Sequence, residues 1–512
     1  MKVTFVFFLF IFLTSLFISS CKNSESFDKK DTIFLPLYRK DISLNPLQNY
    51  DRESIKVIRF LFEPLLEVNG HGEIIPNIIQ QWICSPDGLI WTFKLNRQTE
   101  HLNINDIIAT MNYLRDREKS PFFSEKLGSV NKIEKADEYS FHVFLNEPYP
   151  AFPVILTSVY PVTEQSVVKN LKNPSGYGPY ILKNFNDKTI YLSRNEHYRG
   201  NAPHIKNICF RIYVNEESAW PDFLSGQIDL MDNISVEQYT EIKDRDFVCY
   251  NYPGQRFTAM GFNFKSELFR DRRVREAISY AIDRDIIVTH LLRGLGYIST
   301  GPVNPFMTEW YNRGVKKYPF SPKKSELLMK EAGWHKGESG FLEKSGKIFY
   351  FKIATNKGDR LRERVVTVIQ QNLLHTGIAV DTVFMEKNEF INAICSGSPD
   401  SWCIDFTGEG IDPDNLFYYY HSSIGPARGN YGSYSNKEID KLLFLGRREF
   451  DKKKRRDIYF KVQSIIAEDL PALYLYSPDK LVTSNRRIEI PKETDGRYFD
   501  FYFDFYKWKI RE

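Results

Sequence analysis

Only one stretch of this chain is apolar enough to belong in a membrane, and it lies at the start. Residues 3–17 are apolar except for Thr4, Thr14 and Ser15, and Lys2 precedes them. That length suits the apolar region of a signal peptide better than a spanning helix, which needs about 20 residues. The rest of the sequence therefore has to fold in water. A single hydrophobic core rarely grows past roughly 250–300 residues, so a chain of 512 is expected to form at least two lobes.

The apolar run ends in Leu16-Phe17-Ile18-Ser19-Ser20-Cys21. An aliphatic residue, two small residues and a cysteine in this order resemble the lipobox of bacterial lipoproteins. Residues 1–20 are then expected to be removed and Cys21 to carry lipid; the alternative is ordinary cleavage, with Cys21 incidental. Residues 21–31 are polar and read as a tether, so the protein is expected to be anchored to a membrane and not embedded in it. Five cysteines follow: Cys84, Cys209, Cys249, Cys395 and Cys403. Their odd number requires a free thiol or an intermolecular bridge in an oxidising compartment. Cys395 and Cys403 are candidates for a pair, which sequence alone does not decide.

The body alternates short strands with amphipathic helices, without repeats or low-complexity linkers. Trp91 to Leu95 alternates apolar and polar as a half-buried strand does. Asn105 or Asp106 is expected to cap a helix through Ile107, Ile108, Met111 and Leu114. Pro148, Pro150, Pro153 and Pro161 predict an extended connection around Tyr149 and Tyr160. Asp271 is a good cap for a helix whose Val274, Ala277, Ile278, Ala281 and Ile282 share one face. Leu361, Val365, Val368, Ile369 and Leu373 predict another helix, ending near Gly377 and followed by a strand from Ala379 to Met385. Asn436 caps a third helix, and a fourth uses Ile458, Val462, Ile465 and Ile466 and stops before Pro471. The pattern is α/β with mixed sheets.

The composition excludes some functions. There are 69 Lys and Arg against 65 Asp and Glu, which leaves no basic footprint for nucleic acid. No GxSxG, HExxH or GxxxxGK[ST] occurs. His197 and His204 have no Cys or carboxylate completing a metal set, and the acidic run 409–414 lacks calcium-loop spacing. The sequence therefore points to no enzyme, no metal and no cofactor.

Several separated segments carry a resemblance. They are Ser43-Leu44-Asn45-Pro46, Phe62-Glu63-Pro64-Leu65, and Asp87-Gly88-Leu89-Ile90-Trp91-Thr92-Phe93-Lys94-Leu95. Gly178-Pro179-Tyr180, Arg194-Asn195-Glu196-His197-Tyr198 and Ser225-Gly226-Gln227-Ile228-Asp229 follow. Asp271-Arg272-Arg273-Val274-Arg275-Glu276-Ala277-Ile278, Glu331-Ala332-Gly333-Trp334, Trp402-Cys403-Ile404-Asp405 and Asp412-Pro413-Asp414 complete the series. In order and spacing the chain resembles the extracytoplasmic solute-binding proteins of peptide and nickel ABC transporters, the dipeptide- and oligopeptide-binding group of bacterial family 5. It departs from the pattern at 100–104, where the family's His-Asp-Gly turn is shortened, and at Arg199.

The resemblance implies a two-lobed clamshell of the periplasmic-binding-protein type II fold, with a cleft between the lobes. Lobe I would span 32–262 and 480–512, and lobe II 263–479, joined by a hinge near Phe262 and Leu481. It implies a monomer that captures short peptides and delivers them to the permease of an ABC importer. The alternatives within this fold are a nickel chelate, a cell-wall peptide or a sugar. A peptide's ammonium needs a carboxylate partner when it leaves water. Asp405 matches the family's amine-binding Asp, with Asp412 and Asp414 as rivals. Trp402 is expected as an apolar wall, Cys403 as a backbone partner, and Tyr50 and Arg52 as contacts from lobe I. Lys357, Arg360 and Arg362 lie in the region expected for the ligand's carboxylate, with a solvated helix start as the competing role.

Overall fold

The computed structural model describes residues 28–39, 41–48, 51–96, 102–169, 176–407, 411–491 and 501–511. The signal peptide, Cys21 and Tyr50 lie outside the described residues.

Both ends of the chain build the first lobe. The wholly buried strand Thr32–Leu37 pairs in parallel with Asn207–Ile212 in a four-stranded sheet completed by Thr189–Arg194 and Tyr180–Phe185. A second four-stranded sheet uses Ile79–Cys84, Ile90–Leu95, Ser140–Leu145 and Val130–Lys135. The helix Arg52–Leu61 forms because Asp51 accepts from the backbone N–H groups of Glu53 and Ser54, and it buries Val57, Ile58 and Phe60. Phe60 then meets Phe505 at 4.9 Å between ring centroids, so C-terminal aromatics close the core that the N-terminal strand opened.

The second lobe is organised by a mixed six-stranded sheet. In order its strands are Gly296–Tyr297, Ala472–Pro478, Arg256–Phe262, Ser401–Thr407, Tyr350–Asn356 and Ala379–Met385. Local signals decide its helices. Asp271 caps Arg272–Ala281, Asp359 caps Arg360–His375, and Asn436 caps Lys437–Gly446. The 360–375 helix stops where Gly377 takes φ +83°, which costs a residue without Cβ little. The helix Lys452–Asp469 ends at Leu470, ahead of Pro471.

Two expectations need correction. The helix Ile104–Arg115 is capped by Asn103, which forms a reciprocal box with Asp106, two or three residues earlier than expected. The connection near Tyr149 contains a short helix, Phe152–Leu156, because Pro153 sits in its first turn, where no donor is lost. By strand pairing the chain passes from one set of sheets to the other at 253–255. The strand Arg256–Phe262 pairs on both sides with second-lobe strands and belongs to that sheet. The chain returns at Asp479, between Ala472–Pro478 and the strand Lys480–Ser484, which is paired with Leu230–Met231 and Val248–Tyr252.

Candidate functional site

The two crossings lie side by side. Gly254 packs so close to Pro478 that a Cβ would overlap the Pro478 carbonyl oxygen. Asn304 Nδ2 and the Tyr297 hydroxyl both donate to the Gly254 carbonyl, at 3.0 and 3.1 Å. Burial raises the Asp479 acid above its ordinary value, against a hydrogen bond from Asn251. These two connections join the sheets of the two lobes, and charged groups gather on both sides of the seam beside them.

On the second-lobe wall, antiparallel pairing sets Thr258 opposite Asp405. The Thr258 hydroxyl donates to Asp405 Oδ1 at 2.6 Å. Arg362 and Arg256 reach Asp405 Oδ2 at 3.1 and 3.4 Å. Arg362 is nearly buried, with Asp359 at 3.4 Å and a bond to Asn356 Oδ1 of 2.6 Å. Arg256 differs: protein surrounds it, yet 45% of its side chain is open, as expected in a crevice. Asp405 therefore meets the seam already compensated by two guanidinium groups of its own chain.

The other second-lobe candidates are held within the fold. Trp402 is buried against Gly261, where a Cβ would strike its indole, and packs edge-on to Tyr431. Cys403 is fully buried, stands opposite Met260 in the sheet, and its carbonyl accepts from Thr355 Oγ1 at 3.0 Å. Burial drives its thiol far up. Asp412 makes a bidentate pair with Arg455 at 2.6 and 2.7 Å. Asp414 is buried and accepts from the Tyr149 hydroxyl of the first lobe at 2.7 Å. Of the cationic candidates, Lys357 pairs with Glu386 at 3.1 Å, and Arg360 pairs across the seam with Glu217 at 3.1 Å. The five cysteines from Cys84 to Cys403 are free thiols, so Cys395 and Cys403 do not pair.

Of the first-lobe wall the sequence named Arg52, but Lys56, Asp232 and Glu216 were not visible in it. Lys56 Nζ lies 3.0 Å from Asp232 and 3.7 Å from Glu53, over the ring of Tyr38. Burial would raise the Asp232 acid, but Lys56, Arg52 and Lys480 bring it down to about 2. Beside it stands Glu216, first residue of the helix Glu216–Leu224, which accepts from Asn233 Nδ2 at 3.0 Å. Burial foremost, and then Asp232, push its acid up to about 7, against Asn233, a backbone donor and Arg52. Arg52 opens its own helix, exposed, with no ion pair among the described residues. Glu217 and Glu237 cross to Arg360 and Arg364, each at 3.1 Å, so this wall faces the second lobe directly. Local signal for Glu216 was weak, because two acids after Asn215 read as an ordinary helix start.

Two further features lie elsewhere. A cavity of about 640 Å³ opens inside the first lobe among Phe60, Glu63, Pro76, Tyr177, Tyr198 and Tyr506, away from the seam. Among the described residues no cluster of three potential metal ligands occurs, and no helix is long and apolar enough to cross a membrane.

Comparison with known proteins gives this geometry its context. Residues 73–426, more than half of the chain, match the model for bacterial extracellular solute-binding proteins, family 5 middle. The oligopeptide-binding protein AppA of Bacillus subtilis is 28% identical over 349 residues, covering 66% of this chain and 62% of the relative. The dipeptide-binding protein of Escherichia coli is 24% identical over 467 residues, covering 83% and 84%. The structure of AppA with a nonapeptide superposes with a TM-score of 0.78 at 22% identity, covering 94% of this chain and 99% of that one. NikA of Brucella suis with Fe(III)-EDTA superposes with a TM-score of 0.84 at 20% identity, covering 94% and 100%.

Proposed function

Because the chain belongs to the bacterial extracellular solute-binding proteins of family 5, we propose that it captures short peptides between its lobes and delivers them to an ABC importer. One observation carries the reading: the seam presents charge of both signs on facing walls. Arg256 and Arg362 stand on the second lobe, Glu216 and Asp232 on the first. A zwitterion with a polar backbone is the complement of such a seam. Closure removes water and strengthens every charged contact inside. Side chains of the guest would be met through water, whose adaptable hydrogen bonds tolerate variety.

In this reading the Asp405 carboxylate orients Arg256 and Arg362, and the half-open Arg256 meets the guest's carboxylate. Direct capture of an ammonium by Asp405, as the family likeness implies, would require the guest to displace Arg256. Trp402 and Cys403 support the wall from behind, while Arg52 approaches from the first lobe. We assign lobe I to 32–252 and 480–511 and lobe II to 256–478. We further propose that residues 1–20 are removed, that Cys21 carries lipid, that residues 21–31 tether a monomer outside the cytoplasm, and that the protein binds without catalysing.

Favouring a second reading, Arg256 is open enough to take an anionic solute such as a metal chelate. Mass spectrometry of ligand released from protein purified from its native cells separates the two. Recovery of peptides two to several residues long supports capture of peptides; recovery of a chelate or sugar alone overturns it.

A further inference from the structure

We propose that the ammonium of the captured peptide is seated by Glu216 of the first lobe and not by Asp405 of the second. The inference rests on the peptide reading and goes further, because it reverses the lobe to which the guest's positive end binds.

The argument is one of unspent capacity. An ionised carboxylate offers about four lone-pair sites and seeks a cation once it leaves water. Asp405 has its cations: Arg362 and Arg256 lie on one oxygen, and the Thr258 hydroxyl holds the other. An ammonium there would be a third positive charge against two acids, Asp405 and the Asp359 that shares Arg362. Asp232 is also satisfied, by Lys56 at 3.0 Å. Glu216 is not. Its side chain accepts from Asn233 and from the Ser235 backbone, and although the charge of Arg52 acts on it, among the described residues no cation comes within ion-pairing distance.

Two other observations place a ligand there. The hydroxyl of Tyr38 is shut from solvent without a hydrogen-bond partner, and the charges of Asp232 and Glu216 both act on it. A buried hydroxyl left this way is costly, and an ammonium with three donors would satisfy it while pairing with Glu216. Glu216 also lies at the seam: the adjacent Glu217 bonds Arg360 of the second lobe, and Arg256 on the opposite wall feels the charge of Glu216. The guest would then span the gap, its positive end on the first lobe and its carboxylate toward Arg256.

The raised acidity constant gives a second signature. Binding an ammonium requires Glu216 ionised, so affinity falls as pH drops through about 7.

The test offers a mixture of di- to pentapeptides, in equal free and N-acetylated pools, to the full-length protein and to Glu216→Gln and Asp405→Asn. Mass spectrometry reads the retained ratio. The parent protein is expected to prefer free peptides about tenfold to hundredfold, as for a charged hydrogen bond. Glu216→Gln is expected to erase that preference and flatten the fall in affinity between pH 8 and pH 6, while retaining acetylated peptides as the parent does, which certifies its fold. Asp405→Asn, whatever it does to total retention, is expected to keep the ratio. If Asp405→Asn erases the ratio and Glu216→Gln keeps it, or if the parent retains both pools equally, the Glu216 assignment is overturned while peptide capture stands. If no peptide is retained at all, both fall.

Discussion

Tyr149→Phe is the sharpest test of how the lobes close. Tyr149 belongs to the first lobe, and its hydroxyl donates to Asp414 Oδ2 of the second at 2.7 Å in a buried setting. Arg447 completes the latch: it pairs with Asp414 Oδ1 at 3.1 Å and stacks over Tyr149 and Phe417, 5.1 and 4.2 Å from the ring centroids. Phenylalanine keeps the ring and its stacking and removes only the hydroxyl. A hydrogen bond to a charged group contributes about 1.5–3 kcal/mol, and each 1.4 kcal/mol is a factor of about ten. Since the bond joins the two lobes, its loss weakens closure and raises the peptide Kd by about 10- to 150-fold. Isothermal titration reads the Kd, and small-angle scattering of the loaded protein reads a shift toward the open, larger radius. A Kd within twofold of the parent, with unchanged scattering and a lowered melting temperature, would show that the bond persists in the open state and would refute the latch.

Three other perturbations test the two connections and the charged walls. Glu216→Gln removes an acid held at about 7 against an ordinary 4.5. Between those values the folded state keeps a proton that the unfolded state releases, so that group's contribution to stability falls as pH rises through the window and stays lost above it. The difference is about 3 kcal/mol at 1.36 kcal/mol per unit. Denaturant titrations of the ligand-free protein should show the variant gaining stability at pH 8 relative to pH 4.5; equal differences at both would refute it. Gly254→Ala forces a Cβ against the Pro478 carbonyl, so the crossing strands must separate; a melting temperature equal to the parent's would show that the connections yield freely. Arg362→Ala leaves Asp405 and Asp359 without their buried cation and should cost about 3–5 kcal/mol by denaturant titration, whereas a loss under 1 kcal/mol would mean that Arg256 alone suffices.

What the sequence showed and what it concealed divide by range. The helices at 272–281, 360–375 and 437–446 were legible because a cap and a period of apolar residues lie within a dozen positions of each other. The sheet that the strand Arg256–Phe262 joins was not. Phe257 to Phe262 is buried throughout, and a strand covered on both faces has no alternation to mark which sheet it joins. The two-lobed order came from motifs spread along the chain, which locate elements without stating which partners their side chains take.

Most of the site's electrostatics lie on the concealed side: Asp405, Arg362 and Arg52 could be named from the sequence, but not which charges each of them meets. Asp405 was conspicuous because of its neighbours Trp402 and Cys403, yet its state depends on Thr258, 147 positions away, and on two arginines from different elements. Glu216 was inconspicuous because its neighbours made it an ordinary helix start, although the fold sets it beside Asp232, which Lys56 from 176 positions away has already neutralised. A carboxylate's readiness for a ligand is what remains after its partners are counted, and those partners are brought by topology. Two family members can therefore share the same acid in the same motif and still seat a guest's positive end on opposite lobes, if one of them has brought arginines to that acid first.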